Sequence, residues 1–234
     1  MVDKKEIIDK LRQILRDRVS DDPEVLKGYS EDFTEAEPSY PDIVVKPETL
    51  DEIQKIVKLA SEKRIPITPV VAGTNIGGLA IPERGGIVMD LKGMKKIEVN
   101  EREMYAIIEP GVTYSDIKDC LDRDFPSLTI GYPLSPPYIS ILCNCLLGGL
   151  GNLSLKYGSM AEWITGLEVV LPSGELMRTG SCALSASWFS RAPLPDLAGL
   201  FINWQGSTGI VTKLSVELWP RPNIRRRSFF LLYR

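Results

Sequence analysis

A chain of 234 residues with 44% hydrophobic and 25% charged side chains has the composition of a folded globular protein, long enough for one large domain or two small lobes. Its formal net charge of −3 excludes a global attraction for phosphodiester backbones or anionic lipid, so either partner would need a local basic patch. The absence of histidine removes the commonest general base and metal ligand, and the four cysteines lack the dense spacing of a secreted disulfide framework.

Ile7, Ile8, Leu11, Ile14 and Leu15 recur at helical spacing, so residues 3–18 are expected to form an amphipathic helix packed on the body of the domain. This charged start lacks the apolar stretch and cleavage site of a secretory leader, and no run reaches the roughly 18–20 apolar residues of a membrane span. A cytoplasmic location is the resulting expectation, and it suits cysteines read as free thiols. Residues 20–40 are acidic and rich in turn formers (Asp21-Asp22-Pro23, Glu31-Asp32, Glu35-Ala36-Glu37-Pro38) and are expected to be a surface excursion.

From Pro41 the punctuation becomes regular. Residues 42–46 read as a short apolar strand, and Thr49 with Glu52 forms a capping box ahead of the periodic Ile53, Ile56, Val57 and Ala60. Further strands are expected at 67–71 and 87–91, with a glycine-rich loop at 72–78, giving a small βαβ lobe with an extra strand. A second lobe opens with a strand at 105–109, the turn Pro110-Gly111, and a helix from Thr113 to about Asp122. Residues 126–160 are rich in Pro, Gly, Ser and Asn without clear periodicity, the pattern of a ligand-lining segment. A strand at 164–171, a tight turn at Pro172-Ser173-Gly174, a returning arm at 175–179 and a closing strand at 210–219 complete the lobe.

The strongest local signal is Pro69-Val70-Val71-Ala72-Gly73-Thr74-Asn75-Ile76-Gly77-Gly78, directly after a strand. Glycines at 73, 77 and 78 let the backbone turn tightly and expose consecutive N–H groups, as a pyrophosphate requires, and Thr74 and Asn75 add side-chain donors. No Lys follows the glycines and the pattern is not G-x-G-x-x-G, so neither a P-loop nor a dinucleotide Rossmann turn fits.

Five blocks then occur in one order: PDIVVKPETLDEIQKIV, PVVAGTNIGG, the Glu109-Pro110-Gly111-Val112 turn, NLSLKYG with GLEVVLPSGELMRTG, and GSTGIVTKLSVELWPRP. From about Pro41 to Pro222 this series resembles the FAD-binding domain of the vanillyl-alcohol oxidase and p-cresol methylhydroxylase (PCMH) flavoprotein superfamily, which includes FAD-linked oxidases of the glycolate oxidase and D-lactate dehydrogenase kind. The resemblance implies an α+β fold: a two-lobed PCMH-type FAD-binding domain with a small βαβ lobe (about 41–100) and a larger mixed or antiparallel sheet lobe with flanking helices (about 101–222). Residues 1–40 precede it as helix and excursion, and 223–234 are expected to start a cap domain that is missing or separately encoded.

The resemblance also implies the cofactor contacts. The backbone of Ala72, Gly73, Thr74, Asn75, Ile76, Gly77 and Gly78 would hold the FAD pyrophosphate, and Pro110 and Gly111 would line the cofactor. Pro133, Leu134 and Ser135, with Asn144, would approach the ribityl chain and isoalloxazine, and Gly151, Gly158, Gly209, Ile210 and Val211 would form the remaining wall. Each of these also has a reading as an ordinary turn glycine or core aliphatic.

Phrases such as GELMRTG and GLFINWQGSTGIVTK look like the phenol-oxidising branch, from which the chain departs in three ways. The acid expected a few residues after Asn144 is replaced by Cys145-Leu146-Leu147-Gly148-Gly149, and the paired glycines before Asn144 by Leu142 and Cys143. With no histidine a histidyl-flavin bond is impossible, and relatives that use cysteine place it nearer Ser135-Pro136, so FAD is expected to be non-covalent. No catalytic residue is assigned. Cys143-Asn144-Cys145 falls short of a metal set and reads as buried small side chains, so no metal is expected. Trp163, Trp188, Trp204 and Trp219 read as core or interface aromatics. Arg225-Arg226-Arg227 ahead of the apolar run 228–233 reads as the solvated entry to the first cap strand.

The expected function is therefore an FAD-binding subunit of a flavin-dependent dehydrogenase or oxidase. It takes a hydride from an alcohol, 2-hydroxy acid or alkylphenol-type substrate and passes electrons to an acceptor. A second protein chain supplying the cap or the acceptor is expected, with no nucleic acid and no direct membrane span. An electron-relay subunit without its own substrate site, and a degenerate structural subunit, are the alternatives.

Overall fold

The computed structural model describes residues 4–192 and 195–223. The chain begins with α1 (Lys4–Leu15), whose apolar face buries Ile7, Ile8, Leu11 and Leu15. β1 (Val19–Ser20) and α2 (Pro23–Lys27) follow, the latter capped by Asp22, whose side chain accepts from the Glu24 amide. β2 (Ile43–Val45) leads into α3 (Leu50–Lys63), which starts with the reciprocal Thr49–Glu52 cap expected from the sequence. β3 (Ile67–Val70) and β4 (Ile87–Asp90) complete a four-stranded sheet of order β1-β2-β4-β3, in which β2, β4 and β3 are parallel and β1 is an antiparallel edge.

Parallel strands need a cover on both faces, which is why Ile43-Val44-Val45 and Ile87-Val88-Met89 are apolar and buried without a break. One face packs Ile43, Val45, Ile87 and Met89 against α1 and α3. The other presents Val44, Val70 and Val88 to Leu26, with Val25 and Tyr29 beside it. Residues 20–40 are thus more than the expected surface excursion: their first half covers the second face of the sheet, and Tyr29 Oη donates to the buried Asp90 carboxylate at 2.6 Å.

The second lobe opens at β5 (Ile97–Asn100), a few residues ahead of the expected boundary, because Ile97 to Asn100 form a hairpin with β6 (Tyr105–Ile108). α4 (Tyr114–Asp124) is capped by Thr113 and Asp116, and β7 (Leu128–Thr129) is short. Within the stretch 126–160 two small helices also form, α5 (Ile141–Leu146) and α6 (Ser154–Tyr157). β8 (Ile164–Val170) and β9 (Leu176–Thr179) make the expected hairpin, and β10 (Ile210–Glu217) returns between β6 and β8. The resulting antiparallel sheet has the order β5-β6-β10-β8-β9, and β11 (Trp219–Pro220) leaves it to pair with β7. The arginine run and the apolar run expected after it lie outside the described residues.

Alternation along the paired ends of β8 and β10 joins the two lobes. Val169 and Val211 face the second-lobe core with Trp163 and Tyr114, while their neighbours Val170 and Ile210 pack into the first-lobe core with Ile56 and Met89. The same sheet buries one carboxylate. Glu168 accepts from Arg178 Nη2 at 2.7 Å and Nε at 3.0 Å through one oxygen, and from Thr212 Oγ1 at 3.0 Å through the other. Among the described residues no helix is long and apolar enough to cross a membrane.

Candidate cofactor site

A cavity of about 530 Å³ opens where the lobes meet, within the roughly 300–1,000 Å³ common for small-molecule and cofactor sites. Its first wall is the loop after β3. Gly73 and Gly78 hold φ of 64° and 76°, left-handed values that favour glycine, and Asn75 Oδ1 accepts from the amides of Gly77 (2.6 Å) and Leu79 (3.2 Å), closing a side-chain turn. Asn75 therefore spends its oxygen on the loop itself. Among the described residues the backbone N–H groups of Gly73, Thr74, Asn75 and Ile76 donate to no protein acceptor, so a row of donors borders the cavity. A Cβ added at Gly73 would meet no atom within 4 Å, which leaves room in front of that row.

The opposite wall comes from the second lobe. Ser140 Oγ donates to Pro110 O at 2.6 Å and accepts from the Cys143 amide at 3.2 Å, so one hydroxyl ties the turn after β6 to the start of α5. That helix places Asn144 on the cavity with its Oδ1 buried and without a protein partner, a costly arrangement unless a ligand N–H or O–H supplies the bond. Leu134, Ser135 and Tyr138 come from the loop between β7 and α5, and Gly209, Ile210 and Val211 from the start of β10.

Of the residues expected from the sequence, the structure gathers Ala72 to Ile76, Pro110, Leu134, Ser135, Asn144 and Gly209 to Val211 around this cavity. Gly77 and Gly78 stay in the loop but off its lining. Gly111 stitches the lobes together: its amide donates to Met94 O at 2.7 Å, and a Cβ there would lie 2.3 Å from Lys92 O. Gly151 packs against the backbone of Tyr132 and Pro133, where a Cβ would come within 2.4 Å of Tyr132 O. Gly158 ends α6 at φ 72°, with the Glu162 carboxylate in the space a Cβ would need. Phe33, Tyr138, Cys143, Phe201 and Gln205 line the cavity without having been singled out as cofactor contacts. Phe33 and Gln205 sit in segments with no helical or strand period, and only the glycines beside Gln205 marked that stretch.

Among the described residues, none that lines the cavity is Asp, Glu, Lys or Arg. An anionic pyrophosphate would be held by neutral amides, whose fixed dipoles suit phosphate oxygens without a counter-charge. The ionisable groups on the lining are the Tyr138 phenol and the Cys143 thiol, and burial pushes the Cys143 thiol up. A thiol held protonated is neither a metal ligand nor an activated nucleophile, in keeping with the reading of Cys143 as a small apolar side chain. Among the described residues no cluster of three or more His, Cys, Asp or Glu is arranged to hold a metal ion. The donor row, the open ground before Gly73, the orphaned Asn144 oxygen and the apolar walls together fit FAD.

Comparison with known proteins agrees. A family model described as an FAD binding domain matches residues 41–180. The glycolate oxidase subunit GlcD of Bacillus subtilis is 37% identical over 205 residues, covering 85% of this chain and 41% of that protein. The mitochondrial D-lactate dehydrogenase [cytochrome] of Arabidopsis thaliana is 31% identical over 229 residues, covering 93% and 38%. A crystal structure of p-cresol methylhydroxylase with substrate bound superposes with a TM-score of 0.85 at 30% identity, covering 94% of this chain and 44% of that one. The chain thus spans about two fifths of the length of these relatives.

Proposed function

This chain belongs to the FAD binding domain family, its cofactor is FAD, and from that premise we propose that it is the cofactor-bearing component of a flavin-dependent oxidoreductase. The substrate is an alcohol, a 2-hydroxy acid or an alkylphenol-type compound, and a partner chain or further domain completes the pocket and leads electrons to an acceptor. Bound FAD supplies the acceptor for a hydride from the substrate carbon. The chain's own part is to hold the pyrophosphate on the amides of residues 73–76, to satisfy Asn144 Oδ1, and to keep water from the apolar walls.

The single observation that carries this reading is a cavity between the lobes that, among the described residues, is lined by no carboxylate, imidazole, ammonium or guanidinium. A proton leaving the substrate hydroxyl would have to be taken by a group that another surface brings. The cavity lining favours such a surface: Ile76 and Leu134 are 81% and 76% exposed, and Phe33, Tyr138 and Leu147, which also line it, are exposed as well. Apolar groups this numerous around one opening mark a contact surface. Non-covalent FAD is part of this proposal, unless a partner supplies a link: the given sequence has no histidine, and burial raises the thiol of Cys143 on the lining. The cytoplasm suits the four free cysteines.

The same absence of proton-transfer groups favours a second reading, in which the flavin relays electrons between a partner's active site and an acceptor. Anaerobic addition of 2-hydroxy acids, primary alcohols and 4-alkylphenols to the FAD-loaded chain, with co-purifying chains present, separates the two. Bleaching of the flavin by one class is the expected result and rejects the relay. A flavin that no substrate bleaches with every partner present rejects the substrate-oxidising reading. A protein that takes up no FAD rejects both.

A further inference from the structure

We propose that Phe33 is the platform on which the adenine ring of FAD lies, which places the cofactor's nucleoside half on the N-terminal excursion. The inference rests on FAD being the cofactor and names the residue that recognises its adenosine. Phe33 lines the cavity and is 68% exposed, so the protein leaves an aromatic residue there open to a ligand. Its position is held by the main chain: the Phe33 amide donates to Asn75 O at 3.0 Å, fastening the residue to the phosphate loop whatever side chain it carries.

The excursion is pinned on either side of that contact. Tyr29 Oη reaches Asp90 at 2.6 Å, the Ser39 amide donates to Ser30 O at 2.9 Å, and Ser39 Oγ donates to Pro82 O at 2.9 Å. The ring is therefore presented by a closed loop anchored on the first lobe. Leu134, Ser135 and Asn144, which the sequence resemblance assigns to the ribityl and isoalloxazine half, line the cavity from the second lobe. A dinucleotide with its pyrophosphate at residues 73–76 extends both ways from that point, and the side left to Phe33 is the adenosine side.

The test uses the full chain stripped of flavin and titrated with FAD, FMN and riboflavin, following flavin fluorescence. Phe33→Ala keeps the backbone contact to Asn75, so the fold and the loop are preserved. It is expected to weaken FAD roughly 5- to 150-fold, the range of base stacking on an aromatic side chain, and to leave FMN and riboflavin unchanged. Phe33→Trp is expected to restore FAD binding. Unchanged FAD affinity overturns the proposal, as does an equal loss for FMN, which would put Phe33 on the flavin half or in the loop's support. In both cases wild-type FAD binding would still uphold the cofactor assignment, whereas wild-type protein binding none of the three would remove that assignment and this inference with it.

Discussion

Gly73→Ala separates what the glycine-rich loop after β3 costs the fold from what it is proposed to do for the cofactor. Gly73 sits at φ 64°, where an L-residue costs about 1–2 kcal/mol. An added Cβ meets no protein atom within 4 Å, so no collision enlarges that figure. For a domain of this size each ~1 kcal/mol moves Tm by about 2–4 °C, so the flavin-free variant is expected to melt about 2–8 °C lower. Backbone strain is the same with and without cofactor, and by itself leaves FAD affinity untouched. On the proposed site the methyl group is expected to take open space that phosphate oxygens need to come within roughly 2.7–3.2 Å of the amides. Losing one charge-assisted hydrogen bond there is worth about 1.5–3 kcal/mol, so FAD affinity should fall at least about tenfold. Gly73→Asn tolerates the left-handed backbone better, so it should recover Tm without recovering affinity. Calorimetry of the flavin-free protein and fluorescence titration read the two quantities separately. A variant that melts lower as calculated but binds FAD as tightly as wild type would show that residues 73–76 are only a turn.

Three further outcomes follow from interactions described above or adjoining them. The Arg18 guanidinium, aided by the amides of Glu48 and Thr49, pulls the Glu52 carboxyl down to about 2. A depressed carboxyl stabilises the fold above its ordinary value of 4.5 and loses that contribution as pH falls toward 2, so Glu52→Gln should flatten the acid limb of a stability-versus-pH curve between those values. Arg178→Ala leaves Glu168, whose side chain is 1% exposed, with Thr212 as its remaining side-chain partner, and should cost about 1–3 kcal/mol in urea unfolding with little change in FAD affinity. Cys143 should react slowly with iodoacetamide because burial raises its thiol, and FAD should slow it further while leaving Cys120 unaffected, as site-resolved mass spectrometry would show.

Most of the scaffold is visible in local patterns. Thr49 and Thr113 each stand three residues ahead of an acid and start α3 and α4, and the continuous runs at Ile43–Val45 and Ile87–Asp90 announce strands buried on both faces. The hairpin β5–β6 carried a readable period-two signal in Ile97 and Val99, whereas α5 is six residues long, too short for a helical period to declare itself. The glycine-rich loop after β3 was legible as a turn because its demand is local: glycine where φ is positive. Phe33, Phe201 and Gln205 owe their place on the cavity to long-range packing, and no local pattern encodes which distant loop a segment will lie against. Gly111 and Gly151 illustrate the converse, since their glycine requirement comes from neighbouring backbone at Lys92 and Tyr132.

The position of β10 sets a schedule for synthesis. In the sheet order β5-β6-β10-β8-β9 the two hairpins β5–β6 and β8–β9 are joined only by β10, whose residues lie some forty or more positions downstream of Val170. Until Ile210–Glu217 leaves the ribosome, those hairpins have nothing between them and the cavity lacks Ile210 and Val211. Flavin capture on a nascent chain must therefore wait for nearly the whole of this domain, and earlier fragments expose two unpaired strand edges to whatever chaperone is at hand.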